Sequence, residues 1–184
     1  MIKIGWFGRY DTMDVGSREQ LVISWDTAMK ASEMHDYSVG TVWLVRNNVD
    51  FYLLEVIRER LEYPLLKRKV AETSARYARV SSYCNLVIED AGSGIPLIQD
   101  LIGESLRAFP FKPEGDKALR MSAQSAKIEA GHVFLPNKAP WLDEFETEVM
   151  AFPHGAHDDQ VDSMAQALDW VSRRIRNQVR QGYF

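Results

Sequence analysis

The sequence predicts one α/β domain in which helices cover a mixed β-sheet. Its first third contains three strand-like apolar runs close together, and the remainder alternates helical patterns with shorter strand-like runs. Strands joined by short connections favour an antiparallel meander, whereas strands separated by helices favour parallel pairing. A chain of 184 residues, of which 46% are hydrophobic, is long enough to bury one core.

The first predicted elements form the antiparallel meander. Its strands are expected at residues 21–25, 39–45 and 51–57. Asn47-Asn48 is typical of a tight turn between the second and third of these strands. The polar segment 27–37 is expected to be a loop that connects the first two.

Helices and strands then alternate along the chain. Helices are expected at residues 64–79, 96–102, 116–129, 140–150 and from 158 onward, and strands at 84–88, 106–109 and 132–135. Pro64 suits the first turn of a helix, and Gly131 suits a helix end. The last helix has an apolar face formed by Val161, Met164, Ala165, Leu168, Ile175 and Val179.

Acidic residues stand at the ends of two predicted strands and at the start of the last helix. Asp26 follows one strand, and Glu89 with Asp90 follows another. Sites in open α/β sheets form beyond the carboxyl ends of strands, so these acids are candidates for chemistry. Asp159 and Asp162 lie about 60° apart around the helix, where two carboxylates repel each other unless a cation lies between them.

These acids could build a site for hard divalent cations, which prefer oxygen ligands. Two such ions about 4 Å apart can activate a water and stabilise a leaving oxygen during phosphodiester cleavage. Asp26, Glu89 and Asp159 would form the core of that site, and Asp162 would support the second cation or orient the water. The alternative is that the acids end strands and cap the helix, a role for which Asp158 is best placed. Spacing alone leaves both interpretations open.

Other features narrow the function classes. The chain has no phosphate-binding G-x-x-x-x-G-K-[ST] loop and no G-x-S-x-G motif. Its one cysteine, Cys84, excludes an internal disulfide and a cysteine-based zinc site, and it suits a reducing cytoplasm. No apolar run approaches the ~20 residues that span a bilayer, so no membrane partner is expected. A net charge of −4 argues against a surface that is basic throughout, but it allows a local basic patch.

Basic residues form two clusters that could contact phosphates. One comprises Arg58, Arg60, Lys67, Arg68 and Lys69, extended by Arg76 and Arg79, and the other comprises Arg173, Arg174, Arg176 and Arg180. Lys117 begins a predicted helix, and His154 and His157 precede the last one, where they could lie near a phosphate. Each cluster could equally be a solvated surface.

Seven short motifs occur in the order found in a known family. They are Ser24-Trp25-Asp26-Thr27-Ala28, His35-Asp36-Tyr37-Ser38-Val39-Gly40, Val87-Ile88-Glu89-Asp90, Gly115-Asp116-Lys117, Trp141-Leu142, Phe152-Pro153-His154-Gly155 and His157-Asp158-Asp159-Gln160-Val161-Asp162-Ser163. From about residue 20 to residue 170, this ordered set resembles the C-terminal nuclease domain of tailed-phage terminase large subunits. The resemblance implies a ribonuclease H-like fold, shared with Holliday-junction resolvases and retroviral integrases.

The resemblance also implies a function and a set of site residues. Members of that family cut concatemeric viral DNA at the start and end of genome packaging, using two Mg²⁺ or Mn²⁺ ions. Carried over by motif, Asp26, Glu89 and Asp159 are the catalytic acids and metal ligands, with Asp90 as the alternative to Glu89 and Asp162 as a further ligand. The basic clusters and single basic residues described above, and not the resemblance, supply the residues expected to contact double-stranded DNA: Arg58, Arg60, Lys67, Arg68, Lys117 and His157.

A domain organisation and a set of partners follow from the same resemblance. Residues 20–184 would be the nuclease domain, and residues 1–19 would be a lead-in from an upstream ATPase motor, in which Trp6, Phe7 and Tyr10 could pack on the domain. The portal and the small terminase subunit would be further partners, in the cytoplasm of an infected or lysogenic bacterial host. A Holliday-junction resolvase-like nuclease and a non-catalytic docking module for the portal or motor are the alternatives.

Overall fold

The computed structural model describes residues 2–27 and 37–181. Its strands are β1 (Gly8–Tyr10), β2 (Gln20–Asp26), β3 (Ser38–Arg46), β4 (Asp50–Glu59), β5 (Tyr83–Glu89), β6 (Ala108–Phe111) and β7 (Val133–Pro136). Its helices are α1 (Tyr63–Ala78), α2 (Gly94–Gly103), α3 (Lys117–Glu129), α4 (Leu142–Ala151) and α5 (Asp159–Arg180). Each helix and strand expected from the sequence is present, with ends that shift by a few residues.

The predicted loop at 27–37 lies mostly outside the described residues, and with it the motif residues Ala28, His35 and Asp36. Within residues 2–27 and 37–181, no helix is both long enough and apolar enough to cross a membrane.

The described strands form one sheet in the order β1-β7-β4-β3-β2-β5-β6. Strands β2, β3 and β4 make the expected antiparallel meander. The turn between β3 and β4 lies at Asn47 and Asn48, whose φ angles of 54° and 60° suit a tight hairpin. Strands β5 and β6 extend the sheet in parallel from β2, and β7 pairs in parallel with β4. The predicted mixed sheet is therefore confirmed.

The lead-in contributes an edge strand that the sequence did not predict. Strand β1 pairs in parallel with β7, with Gly8 beside Phe134. A side chain at Gly8 would overlap the Phe134 ring, so glycine allows the two strands to approach each other. Ile2 and Phe7 are buried in the core. Residues 2–10 are therefore built into the domain.

Side chains alternate between two cores, one on each face of the sheet. Val22 of β2 and Val87 of β5 lie in the core that also contains the buried face of α5. Trp25 lies in the opposite core, with buried side chains of α1 and α2. Because side chains alternate along a strand, Asp26 and Glu89 fall on the same face as the two valines. The fold thus delivers the acids of two adjacent strands to the side of α5.

Candidate active site

Asp26 and Glu89 stand side by side at the carboxyl ends of two parallel strands. The register pairs Trp25 of β2 with Ile88 of β5, so the residues that follow are neighbours. Their two carboxyl groups interact closely, so two negative charges at this position repel each other. Burial raises the pKa of Asp26 well above its ordinary range, and the neighbouring Glu89 raises it further. The pair is electrostatically unfavourable unless a proton or a cation neutralises it.

Asp159 and Asp162 bring two more carboxylates to this pair from the first turn of α5. The charges of both raise the pKa of Asp26. Burial raises the pKa of Asp159 and of Asp162 as well. The Asp162 side chain is only 11% exposed. The structure therefore brings together four of the five acids that the resemblance implies as ligands: Asp26, Glu89, Asp159 and Asp162.

Asp90 is the implied ligand that the structure does not bring to this group. The alternation of β5 turns Glu89 toward α5, so the next residue turns away. The Asp90 carboxylate lies 3.5 Å from Lys112 Nζ, and its backbone N–H donates to Phe111 O at 2.8 Å.

Lys117, expected to meet a phosphate, instead pairs with two acids. Its Nζ lies 2.5 Å from Asp162 Oδ2 and 3.0 Å from Asp158 Oδ1. Partial burial acts in the opposite direction, but these hydrogen bonds raise the pKa of Lys117. Arg120 adds a second cation 3.5 Å from Asp162. Asp162 is therefore already neutralised in part.

The four acids have the right ligand atoms for a divalent cation, but their side chains are not yet arranged around one point. Within the described parts of the chain, no three carboxylate, imidazole or thiol groups already enclose a point where an ion would lie. The oxygen donors are nevertheless those that Mg²⁺ and Mn²⁺ prefer. A cation would also relieve the repulsion between Asp26 and Glu89. These residues are therefore suited to hold such an ion once their side chains close around it.

A buried polar network fixes α5 against β2 just after the acids. Ser24 Oγ donates to Ser163 O at 2.8 Å, and Ser163 Oγ donates to Ser24 O at 2.9 Å. Gln166 Nε2 donates to Ser24 Oγ at 3.0 Å and to Trp25 O at 3.1 Å. Thr41 Oγ1 lies 2.8 Å from Ser163 Oγ. Because these side chains are buried, their bonds set the distance between the acids of the helix and those of the sheet.

The N-terminus of α5 is capped by a different residue from the one expected. Asp158 occupies the N-cap position, but its side chain accepts no hydrogen bond from the helix. Glu148 of α4, which is buried, performs this role instead. It accepts from the backbone N–H of Gln160 at 2.6 Å and of Val161 at 3.2 Å. The sequence does contain a sign of this role, because Glu148 is an acid on the otherwise apolar face of α4.

Of the basic residues expected to contact DNA, Arg60 and His157 lie in the patch beside Asp159. The exposed Arg60 guanidinium stands over the Tyr37 ring, 4.4 Å from its centroid. The His157 ring meets Tyr37 edge-on with the centroids 5.6 Å apart, and its Nδ1 is 4.0 Å from Asp159 Oδ2. Arg58 also stacks on Tyr37, at 3.5 Å, but a glutamate of α4 lies 2.5 Å from its Nη1. Arg60 and His157 are therefore the members of this patch available to a phosphate.

Lys67 and Arg68 lie on α1, which packs on the face of the sheet opposite to α5. Lys67 Nζ is also engaged, at 2.7 Å from Glu104 and 3.5 Å from Asp100. This placement separates both residues from the acids, because the sheet lies between them.

Solved structures identify the class of fold. The chain is similar to the large terminase nuclease of the thermophilic phage G20c with bound magnesium, at 18% identity and a TM-score of 0.65, over 90% of this chain and 93% of that one. It is similar to the manganese-soaked terminase nuclease domain of human cytomegalovirus, at 12% identity and a TM-score of 0.62, over 91% and 93%. It also matches 43% of the large terminase of another thermophilic bacteriophage, at 10% identity and a TM-score of 0.59, over 90% of this chain. The domain therefore shares the fold of these terminase nucleases.

The family follows from the sequence. The profile of the terminase RNaseH-like domain matches residues 23–169. The chain belongs to this family, which confirms the resemblance and supports a nuclease role in DNA packaging. No curated protein matches the chain by sequence.

Proposed function

We propose that the domain is a metal-dependent endonuclease that cleaves double-stranded viral DNA concatemers during genome packaging. The proposal rests on the convergence of Asp26, Glu89, Asp159 and Asp162 at the carboxyl ends of β2 and β5. The magnesium and manganese named for the G20c and cytomegalovirus structures support a divalent cation. We propose two ions, Mg²⁺ or Mn²⁺, because four carboxylates offer more oxygen ligands than one protein-bound ion of this kind usually takes.

The residues divide the work. Asp26, Glu89 and Asp159 would hold the two ions, and Asp162 would support the second ion or orient the water. When bound, such ions supply an activated water and stabilise the leaving oxygen of a phosphodiester. Arg60 and His157, on either side of Tyr37, would hold the DNA backbone beside the acids. Lys117 would keep Asp162 oriented through their ion pair.

The proposed partners rest on family membership. We propose an upstream ATPase motor, the portal and the small terminase subunit as partners, with the host cytoplasm as the setting. Residues 1–19 would connect this motor to the nuclease domain, and the pairing of β1 with β7 would attach the connection firmly to the sheet.

Nicking of supercoiled plasmid with Mn²⁺ or Mg²⁺ tests the catalytic proposal. Asp26→Asn and Asp159→Asn preserve side-chain size and remove a charged ligand. We expect each to lower the nicking rate by about 10³-fold, since metal catalysis contributes several kcal/mol. Asp143→Asn, which changes an exposed acid of α4, is the matched control and should nick at the wild-type rate. Full activity in Asp26→Asn would contradict the proposal.

Two further measurements separate the alternatives. Preferential cleavage of four-way junctions over linear duplex would favour a resolvase-like nuclease. Calorimetry that detects no Mn²⁺ binding, together with no nicking by the wild type, would favour a docking module without catalysis.

A further inference from the structure

A basic cavity lies at the opposite end of the sheet from the acids. It has a volume of about 300 Å³ and lies between the amino ends of β2 and β5 and the last turns of α5. Its polar lining consists chiefly of two arginines and four amides: Arg18, Arg174, Gln20, Asn48, Asn85 and Gln178. No carboxylate is among the described residues that line it. The Asn85 amide already donates to Leu21 O and Tyr83 O, so the donors that suit an anion here are chiefly the guanidinium groups of Arg18 and Arg174.

Arg174 extends this basic surface toward the edge strand β6. Its guanidinium stands over the Trp170 ring at 5.3 Å and over the Phe109 ring at 5.8 Å. Arg107 stands over the same Phe109 ring at 4.8 Å. Both arginines are exposed, and neither has a carboxylate partner among the described residues. Stacking on a ring orients a guanidinium while leaving its N–H donors available to a phosphate.

The neighbouring Arg173 shows what an engaged arginine looks like in the same helix. It lies 2.7 Å from Asp169 and 3.0 Å from Glu114. A larger cavity lies between β4, α1 and α4. Four glutamates line it together with its basic residues, so its positive charges are balanced, unlike those of the cavity beside Arg174. Charge therefore singles out the surface of Arg18, Arg107 and Arg174, here called the far arginine strip, as the one suited to a polyanion.

The strip lies within reach of a duplex bound at the acids. Fifteen residues of α5 separate Asp159 from Arg174, which corresponds to about 22 Å of helix. At 3.4 Å per base pair, this length equals roughly six or seven base pairs of B-form DNA. Asn85 and Glu89 lie on the same face of β5 because side chains alternate. One straight duplex could therefore contact both ends of α5.

We propose that the far arginine strip holds backbone phosphates of the same duplex, roughly six or seven base pairs from the bond that is cut. The inference rests on the proposed nuclease function, because it assigns the strip to the same substrate. The strip contacts phosphates and no base edges, so it strengthens binding to any sequence. It also fixes the direction in which the duplex leaves the acids.

Fluorescence anisotropy of the full chain tests the proposal, with a 30-base-pair duplex in EDTA so that the DNA stays intact. We expect Arg107→Gln/Arg174→Gln to weaken binding about tenfold and to lower the slope of log K against log salt by roughly two. Arg9→Gln changes an exposed arginine of β1, at the opposite edge of the sheet, where it already pairs with Glu146, and it should leave the slope unchanged. Arg174→Lys keeps the charge and should retain most of the slope.

The outcomes separate this proposal from the catalytic one. A double variant with the wild-type Kd and salt slope would overturn the strip, as would a wild-type chain that binds no duplex. Weaker binding by the double variant, combined with no plasmid nicking by the wild type, would support the strip and contradict the catalytic proposal. Thermal melting of each variant shows whether a loss of binding reflects unfolding, and the Arg174→Lys variant tests the strip even if the double variant unfolds.

Discussion

The first turn of α5 and the turn that follows it are built on opposite principles. The first carries Asp159 and Asp162, whose burial raises their pKa and whose charges raise the pKa of Asp26. The next carries Ser163 and Gln166, which are buried and hydrogen-bonded to β2. The comparison shows how the domain keeps repelling carboxylates close together. A satisfied polar layer locks the helix to the sheet, and the acids project from the edge of that layer.

The largest expected effect on stability comes from the start of α5. Glu148→Ala would leave the buried N–H groups of Gln160 and Val161 without their acceptor. We expect a loss of about 2–3 kcal/mol in the free energy of unfolding, measured by urea denaturation, since these bonds involve a charged acceptor. Asp158→Ala is the control and should cost less, because its side chain does not cap the helix. The reverse order would show that the first turn depends on its own aspartate.

Ser163→Ala tests the hydrogen-bonded second turn of α5. It would remove the buried hydrogen bond of Ser163 Oγ to Ser24 O and its contact with Thr41 Oγ1, which would keep only the Trp43 indole N–H as a partner, at an expected cost of about 1–2 kcal/mol. Ser172→Ala is a matched control, because Ser172 Oγ donates only to the Leu168 carbonyl four residues earlier in the same helix. We also expect Ser163→Ala to weaken Mn²⁺ binding by calorimetry, whereas Ser172→Ala should not. Equal effects of the two variants would remove the positioning role from the network.

The sequence predicted the parts of this arrangement that depend on local pattern. The strands β2 and β5 were visible as apolar runs, and their acidic ends were visible as breaks in those runs. The edge strand β1 was not, because three residues show no periodicity and the strand forms through backbone pairing with β7. The ion pair of Lys117 with Asp162 and the cap supplied by Glu148 were also missed. Both join residues from different helices, so no short-range pattern records them.

Asp26→Asn tests whether the carboxylates near the first turn of α5 destabilise the metal-free fold. An acid whose pKa is raised by folding destabilises the fold increasingly as pH rises from its unfolded pKa, about 4, to its folded pKa. Above that range the penalty is constant, so the metal-free variant should be more stable than the wild type at neutral pH. We expect a gain of about 1 kcal/mol, or 2–4 °C in Tm by calorimetry. The gain should vanish near pH 3, where the carboxyl is protonated in both states.

Added Mn²⁺ should reverse the order of stability of the wild type and Asp26→Asn. The wild type should gain Tm because the ion binds only the folded chain, whereas Asp26→Asn should gain little. A variant that is less stable than the wild type without metal would show that Asp26 forms favourable contacts in the fold. It would contradict the view that the carboxylates around the first turn of α5 repel one another.

The smallest expected effect is that of Asp90→Asn, which changes an acid next to the proposed ligand Glu89. Glu89 and Asp90 are adjacent in sequence, but the alternation of β5 turns only Glu89 toward α5. Asp90 contacts the exposed Lys112, and exposed ion pairs contribute little. We therefore expect Asp90→Asn to change the free energy of unfolding by less than about 0.5 kcal/mol and plasmid nicking by less than about twofold. Glu89→Gln should abolish nicking, and similar losses in both variants would mean that the end of β5 rearranges when metal and DNA bind.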